Sequence, residues 1–222
     1  MAKESVVIID YGSGNLRSAA KAFERVSGDE DLGLDIKVSN RPEDLGKATR
    51  IVLPGQGAFG DCLEGLSGIK GMREALQDNV INKAKPFLGI CVGMQLMATR
   101  GLEHGVHAGL DWIPGEVVPM QPANENLKIP HMGWNGLVIP SPGAQDNRHF
   151  VLRSADNGTH YYFVHSFMFK CEYDHHILGM TDYGGLIPAV VGKDNMVGVQ
   201  FHPEKSQQDG LKLISDFLRW KP

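Results

Sequence analysis

The chain has 222 residues, 42% hydrophobic and 22% charged, with a formal net charge of −4. That size suits one large domain or two small ones, and the acidic balance gives no electrostatic case for nucleic acid as the main partner. Three scattered cysteines, Cys62, Cys91 and Cys171, argue against a disulfide framework. With no signal peptide and no apolar run of about 18 residues, the expectation is a cytoplasmic protein off the membrane.

The first half alternates strand and helix. Residues 5–10 (SVVIID) form a short β-branched run, predicted as a buried strand. A YGSGN turn follows, then a helix over 16–26 with Leu16, Ala19, Ala20 and Phe23 on one stripe. Residues 36–39 are a second strand and 42–47 a short helix. Residues 27–35 read as extra loop. A third strand (50–53, RIVL) ends at Pro54-Gly55. Residues 71–84 read as helix and 87–90 as a fourth strand. A helix over 92–100 stops at Gly101. This alternation predicts right-handed βαβ units and a parallel sheet.

From residue 112 the sequence turns to short strands and turns. Residues 161–170 (YYFVHSFMFK) read as a strand, and 189–199 as a hairpin through Lys193-Asp194-Asn195. Residues 141–159 read as a polar surface loop. The last helix, 206–220, carries Leu211, Ile214 and Leu218 on one stripe and packs back on the sheet. The expectation is a single domain over 1–222. Its fold class is α/β, with a mostly parallel sheet flanked by helices and additional antiparallel strands in the second half.

Gly89-Ile-Cys-Val-Gly93 has the form G-x-nucleophile-x-G, an elbow with cysteine in place of serine. Flanking glycines remove Cβ atoms that collide at a tight strand-to-helix turn, and a helix start favours thiolate. The Val92 N–H would point at an oxyanion. Taken alone, the corner serves packing as well as chemistry. A base is available in Gly198-Val-Gln-Phe-His-Pro-Glu204, where Glu204 can accept from one nitrogen of His202 and orient the ring. Pro54-Gly55-Gln56-Gly57 ends the strand beside that of Cys91, and its peptide can turn an N–H toward the same oxyanion.

Other signals carry less. Gly12-Ser-Gly14 lacks the third glycine of a dinucleotide fingerprint. His104/His107 and His175/His176 have no completing acid or cysteine set, so neither metal nor cofactor is expected.

GICVGMQ and GVQFHPE together resemble class I (triad) glutamine amidotransferases, which have a flavodoxin-like fold. YGSGNLRS, LPGQGAF, KIPHMGWN, YYFVHSF and FHPEKSQ are similar to the branch that serves imidazole glycerol phosphate synthase in histidine biosynthesis. The resemblance spans nearly the whole chain. It implies that Cys91 attacks the side-chain amide of L-glutamine, that His202 moves the proton and that Glu204 orients His202. It implies an oxyanion hole from Gly55, Gln56 and Val92, and glutamine contacts from Gly57, Gln95, Glu103, Ser166 and Phe167, some through backbone. The implied partner is a (β/α)₈-barrel cyclase subunit in a heterodimer, met by Asn15, Trp134, Tyr162 and Lys205. A core tryptophan and a solvated lysine are the plain alternatives for Trp134 and Lys205. A sibling glutaminase feeding another ammonia-channelling synthase is the alternative function. Two positions depart from the family pattern: Gln56 where valine is frequent, and Phe167 where tyrosine is.

Overall fold

A computed structural model describes residues 4–124, 126–140 and 148–222. The first half runs β1 (Ser5–Ile9), α1 (Leu16–Asp29), β2 (Asp35–Ser39), α2 (Pro42–Lys47), β3 (Arg50–Gly55), α3 (Phe59–Gly68), α4 (Met72–Leu76), β4 (Phe87–Cys91) and α5 (Val92–Gln95). The second half holds β5 (Ala98–Gly101), β6 (His107–Ala108), β7 (Ile113–Pro119), β8 (His131–Val138), β9 (His160–His165), β10 (Phe167–Cys171), β11 (Ile177–Asp182), β12 (Leu186–Lys193), β13 (Met196–Val199) and α6 (Gln207–Arg219).

Nine strands form one sheet in the order β2-β1-β3-β4-β13-β12-β11-β8-β9. The first five strands run parallel and each later neighbour pairs antiparallel. A smaller sheet has the order β10-β7-β5-β6. The strands β1, β3 and β4 are apolar without alternation because helices cover both faces. On one face α1 buries Ala19, Phe23 and Val26, and α6 buries Leu213, Ile214 and Phe217. Phe23 meets Phe217 edge to face at 6.2 Å. Each buried phenylalanine contributes about 1.5–3 kcal/mol.

The expected helix over 92–100 is a single turn. The carbonyls a longer helix would use are taken by the returning chain: Leu110 N–H donates to Leu96 O at 2.8 Å, and Trp112 N–H to Met97 O at 3.0 Å. The dipole available at Cys91 is therefore that of one turn, a smaller contribution than a nine-residue helix would give. The helix expected over 71–84 is α4 followed by a π-helical stretch, Gln77–Asn82. There the Val80 carbonyl accepts from the Asn195 side chain at 2.8 Å.

Helix α3 escapes sequence reading because its three glycines look like loop, yet Phe59, Cys62 and Leu66 form its buried stripe. The strand read over 161–170 is two strands that part at Ser166 and join different sheets. Of the expected surface loop 141–159, residues 141–147 lie outside the described residues. The remainder is built in: Val151, Leu152 and Ala155 are buried, and Asp216 on α6 accepts from both the N–H and the hydroxyl of Ser154. The extra loop read at 27–35 is shorter, since α1 continues to Asp29.

Candidate active site

Three parallel strands end side by side. Register pairs Gly55 of β3 with Cys91 of β4, and Val199 of β13 with Ile90. Ligands of open α/β sheets sit at such carboxyl ends. Cys91 makes the corner with φ 55 and ψ −113. This is a left-handed φ for a side-chain-bearing residue, and costs on the order of 1–3 kcal/mol that surrounding packing must hold. The packing is tight enough to do so: a Cβ at Gly93 would lie 1.8 Å from the Leu53 carbonyl oxygen, and one at Gly55 would lie 2.6 Å from Gly93 N. The bare glycines let α5 close onto β3.

His202 follows β13 and is buried, with Nδ1 2.8 Å from Glu204 Oε1. Both side chains are nearly sealed from solvent. Nε2 has no hydrogen-bond partner among the described residues, and the Cys91 thiol is the group it interacts with on that side. Burial works against the imidazolium. The nearby Cys91 sulfur, and the hydrogen bond and charge of Glu204, outweigh it and push the ring's pKa up to about 9. A ring that keeps its proton at neutral pH beside the sulfur favours the thiolate form of Cys91 and holds a proton available for a departing amine.

A cavity of about 270 Å³ opens over the corner, lined among others by Gln56, Gly57, Cys91, Val92, Gln95, Glu103, Ser166, Phe167 and His202. Its chemistry is that of acyl transfer: a thiol, an oriented base, and peptide groups at one mouth. Among the described residues, no group of three or more histidine, cysteine or acidic side chains could hold a metal.

The profile of glutamine amidotransferase class-I matches residues 7–220. The chain belongs to that family. It is 55% identical to imidazole glycerol phosphate synthase subunit HisH of Rhodopseudomonas palustris, over 98% of this chain and 100% of the relative. It is 52% identical to the subunit of the same name from Cereibacter sphaeroides, over 97% and 99%. A crystal structure of a glutamine amidotransferase superposes with a TM-score of 0.68 at 17% identity, covering 96% of each chain, which shows the shared fold.

Against this background the predicted residues group well. Glu204 stands behind His202, and all the expected substrate contacts reach the cavity. The two departures fall where backbone acts. The Phe167 carbonyl accepts from Gln95 Nε2 at 3.3 Å and pairs with His165 Nδ1 at 2.8 Å, contacts that a tyrosine hydroxyl would not supply. Glu103 also accepts from Phe59 N–H at 2.8 Å, tying the cavity wall to the start of α3.

The Gly55-Gln56 peptide is engaged elsewhere. Gln56 N–H donates to Ser13 Oγ at 3.0 Å, and its carbonyl accepts from the same hydroxyl and from Cys62 Sγ, the latter at 3.4 Å. The N–H expected at the oxyanion is thus latched to the β1–α1 turn.

Trp134, Tyr162 and Lys205 cluster. Trp134 pairs with Tyr162 across β8 and β9, edge to face at 6.1 Å, and Lys205 Nζ lies 5.9 Å from the Tyr162 ring centre. Trp134 is 46% exposed and its strand neighbour Met132 66%. Asn15 precedes α1, two residues beyond Ser13.

Sequence reasoning missed Gln200. Fully buried, it donates through Nε2 to Cys91 Sγ at 3.7 Å and accepts from Gln95 Nε2 at 3.0 Å. It lies just past the end of β13, where the chain bends, so strand alternation does not point it at the cysteine; only the fold does.

Proposed function

We propose that this chain is the glutaminase subunit of an imidazole glycerol phosphate synthase, acting as a single domain over residues 1–222. Cys91 gives its proton to His202 and attacks the side-chain carbonyl carbon of L-glutamine. The tetrahedral intermediate places its oxyanion at the Val92 N–H and, once released from Ser13, at the Gln56 N–H. His202 then protonates the leaving nitrogen, ammonia departs, and a γ-glutamyl thioester remains. Water, deprotonated by His202, hydrolyses it to glutamate and restores the thiol. Gly57, Gln95, Glu103, Ser166 and Phe167 hold the amino-acid end.

The ammonia passes to a (β/α)₈-barrel cyclase. That partner cleaves a phosphoribulosyl-formimino-aminoimidazole-carboxamide ribonucleotide into imidazole glycerol phosphate and aminoimidazole carboxamide ribonucleotide. Met132, Trp134, Tyr162 and Lys205 form the docking patch, with Asn15 at its edge. An exposed tryptophan among apolar neighbours is the composition of an interface anchor. Among the described residues no helix is long and apolar enough to cross a membrane, and the chain works in the cytoplasm.

The observation that carries the reading is the Nδ1–Oε1 contact of 2.8 Å behind a strained cysteine elbow, with Gln95 on the cavity wall. The test pairs Cys91→Ala with the cyclase and its nucleotide. Glutamine-dependent synthesis falls by at least about 10⁴-fold while ammonia-dependent synthesis is kept. Unchanged glutamine use sinks the assignment. Release of ammonia with no transfer to that nucleotide would instead favour a sibling synthase.

A further inference from the structure

The triad accounts for Cys91 from the side of His202. On the other side of the sulfur lies Gln200, which the triad does not use. Its amide is fully buried, and Nε2 lies 3.7 Å from Cys91 Sγ. The orientation of that amide is fixed by a chain of donors. Gln95 Nε2 spends its two hydrogens on the Phe167 carbonyl at 3.3 Å and on Gln200 Oε1 at 3.0 Å. With Oε1 so taken, the hydrogens of Gln200 must face the sulfur.

Behind the Phe167 carbonyl the chain continues through two buried imidazoles to the half-buried Asn135. His165 Nδ1 donates to that carbonyl at 2.8 Å, and His131 Nδ1 donates to His165 Nε2 at 3.0 Å. Asn135 Nδ2 then divides its hydrogens between His131 Nε2 at 3.2 Å and the Asp182 carbonyl at 2.8 Å. Every nitrogen has one assignment, and each imidazole is a single neutral tautomer. An added proton on His131 would set two donors against each other at Asn135. Burial agrees, lowering the pKa of both rings to about 4.

We propose that Gln200 is a further catalytic residue, whose side-chain N–H hydrogen-bonds the Cys91 sulfur once its proton has passed to His202. Gln95 and the His165–His131–Asn135 strut are positioning residues that keep this N–H aimed. The inference deepens the glutaminase reading and rests on it for the substrate. In the attack, the S–C bond consumes the charge on sulfur and the bond to Gln200 weakens. When the second tetrahedral intermediate collapses, the S–C bond breaks, the charge returns to sulfur and Gln200 receives it. The donor thus serves thiolate formation and thiolate departure.

The experiment follows alkylation of Cys91 by iodoacetamide against pH in the full chain, reading the Cys91 peptide by mass spectrometry apart from Cys62 and Cys171. Sulfur alone is read, so failure of the glutaminase reading would leave this result intact. In Gln200→Met the midpoint of the rate profile moves alkaline by about one pH unit, with roughly a tenfold lower rate at pH 7, as for loss of a donor to a charged group. Gln200→Glu moves it further, by adding negative charge beside the sulfur. A purely structural role would lower the melting temperature and leave the midpoint in place. An unshifted midpoint in either folded variant overturns the proposal. In the unmodified protein, the Gln200 side-chain amide resonance should shift with the same midpoint as alkylation. A resonance indifferent to that titration overturns it without any variant.

Discussion

Replacing Ser13 by alanine should raise the glutaminase rate of the chain without its partner. The Ser13 hydroxyl holds both peptide groups that flank Gln56, accepting the N–H of Gly55-Gln56 at 3.0 Å and donating to the carbonyl of Gln56-Gly57. In that state the N–H is unavailable to an oxyanion, and the peptide must turn before catalysis. A neutral hydrogen bond contributes about 0.5–1.5 kcal/mol net, so two total roughly 1–3 kcal/mol. The discount is large. Ser13 is half-buried, so water replaces part of the loss, and the Cys62 thiol still holds the carbonyl at 3.4 Å. A net change of about 1 kcal/mol in the turning equilibrium is about fivefold in kcat. The glutamine contacts proposed at Gln95 and Phe167 are untouched, so KM for glutamine should stay within about twofold. The assay is glutamate formation by the isolated chain, repeated with cyclase and nucleotide. On the proposed reading the docked cyclase with its nucleotide is what turns the peptide, so the rate of the full complex should hardly change. A basal rate equal to or below that of the parent protein, in a variant with normal stimulated activity, would refute the latch.

Glu204→Gln should lower glutamine turnover by about 10³- to 10⁴-fold and less than Cys91→Ala, because an amide can present a donor to His202 Nδ1 and set the wrong tautomer; equal losses in the two variants would contradict an orienting role. Stability should fall as pH drops from about 6.5 toward 4. His131 and His165 have folded pKa values of about 4, below the usual histidine value, so the unfolded chain binds more protons in that window. Each ring can contribute up to about 3 kcal/mol, read as a falling melting temperature; a flat profile over that window would refute their buried neutral state. His202, held up to about 9, has the opposite sign: its contribution is complete below about 6.5 and is lost as pH rises through 9. Gly93→Ala should fail to fold or lose more than about 3 kcal/mol, because its methyl would meet a backbone oxygen at 1.8 Å. Gly28→Ala, on α1 with open space around it, should be neutral or slightly stabilising in the same denaturation assay.

Much of the site was legible because its residues act from rigid ladders. The apolar runs at β1, β3 and β4 announce themselves by composition, and their parallel register puts Gly55 beside Cys91 without further information. What sequence could not supply were decisions made by distant chain. Helix α5 stops after one turn because residues 110–113 capture the carbonyls of Leu96 and Met97. The strand over 161–170 divides because one half finds β8 and the other β7. The Ser13–Gln56 latch joins side chain and backbone 43 residues apart, and no local pattern encodes it. Gln200 lies in a bend beyond β13, and its contact with the sulfur depends on Gln95, which arrives from another element, so spacing alone does not reveal it.

The backbone of Tyr162 has one further consequence. Its carbonyl accepts from His202 N–H at 2.9 Å, and its N–H donates to Ser206 Oγ at 3.0 Å, while that hydroxyl donates to the His202 carbonyl at 2.7 Å. The residue whose ring looks out beside Trp134 is thus stitched by its main chain to the segment that carries His202. Outer surface and reaction centre are two sides of one residue's thickness. The chain cannot vary its outer face there freely, because a change that shifts the main chain at Tyr162 also shifts the imidazole. Change at that outer surface and the placement of His202 are bound to the same few peptide groups.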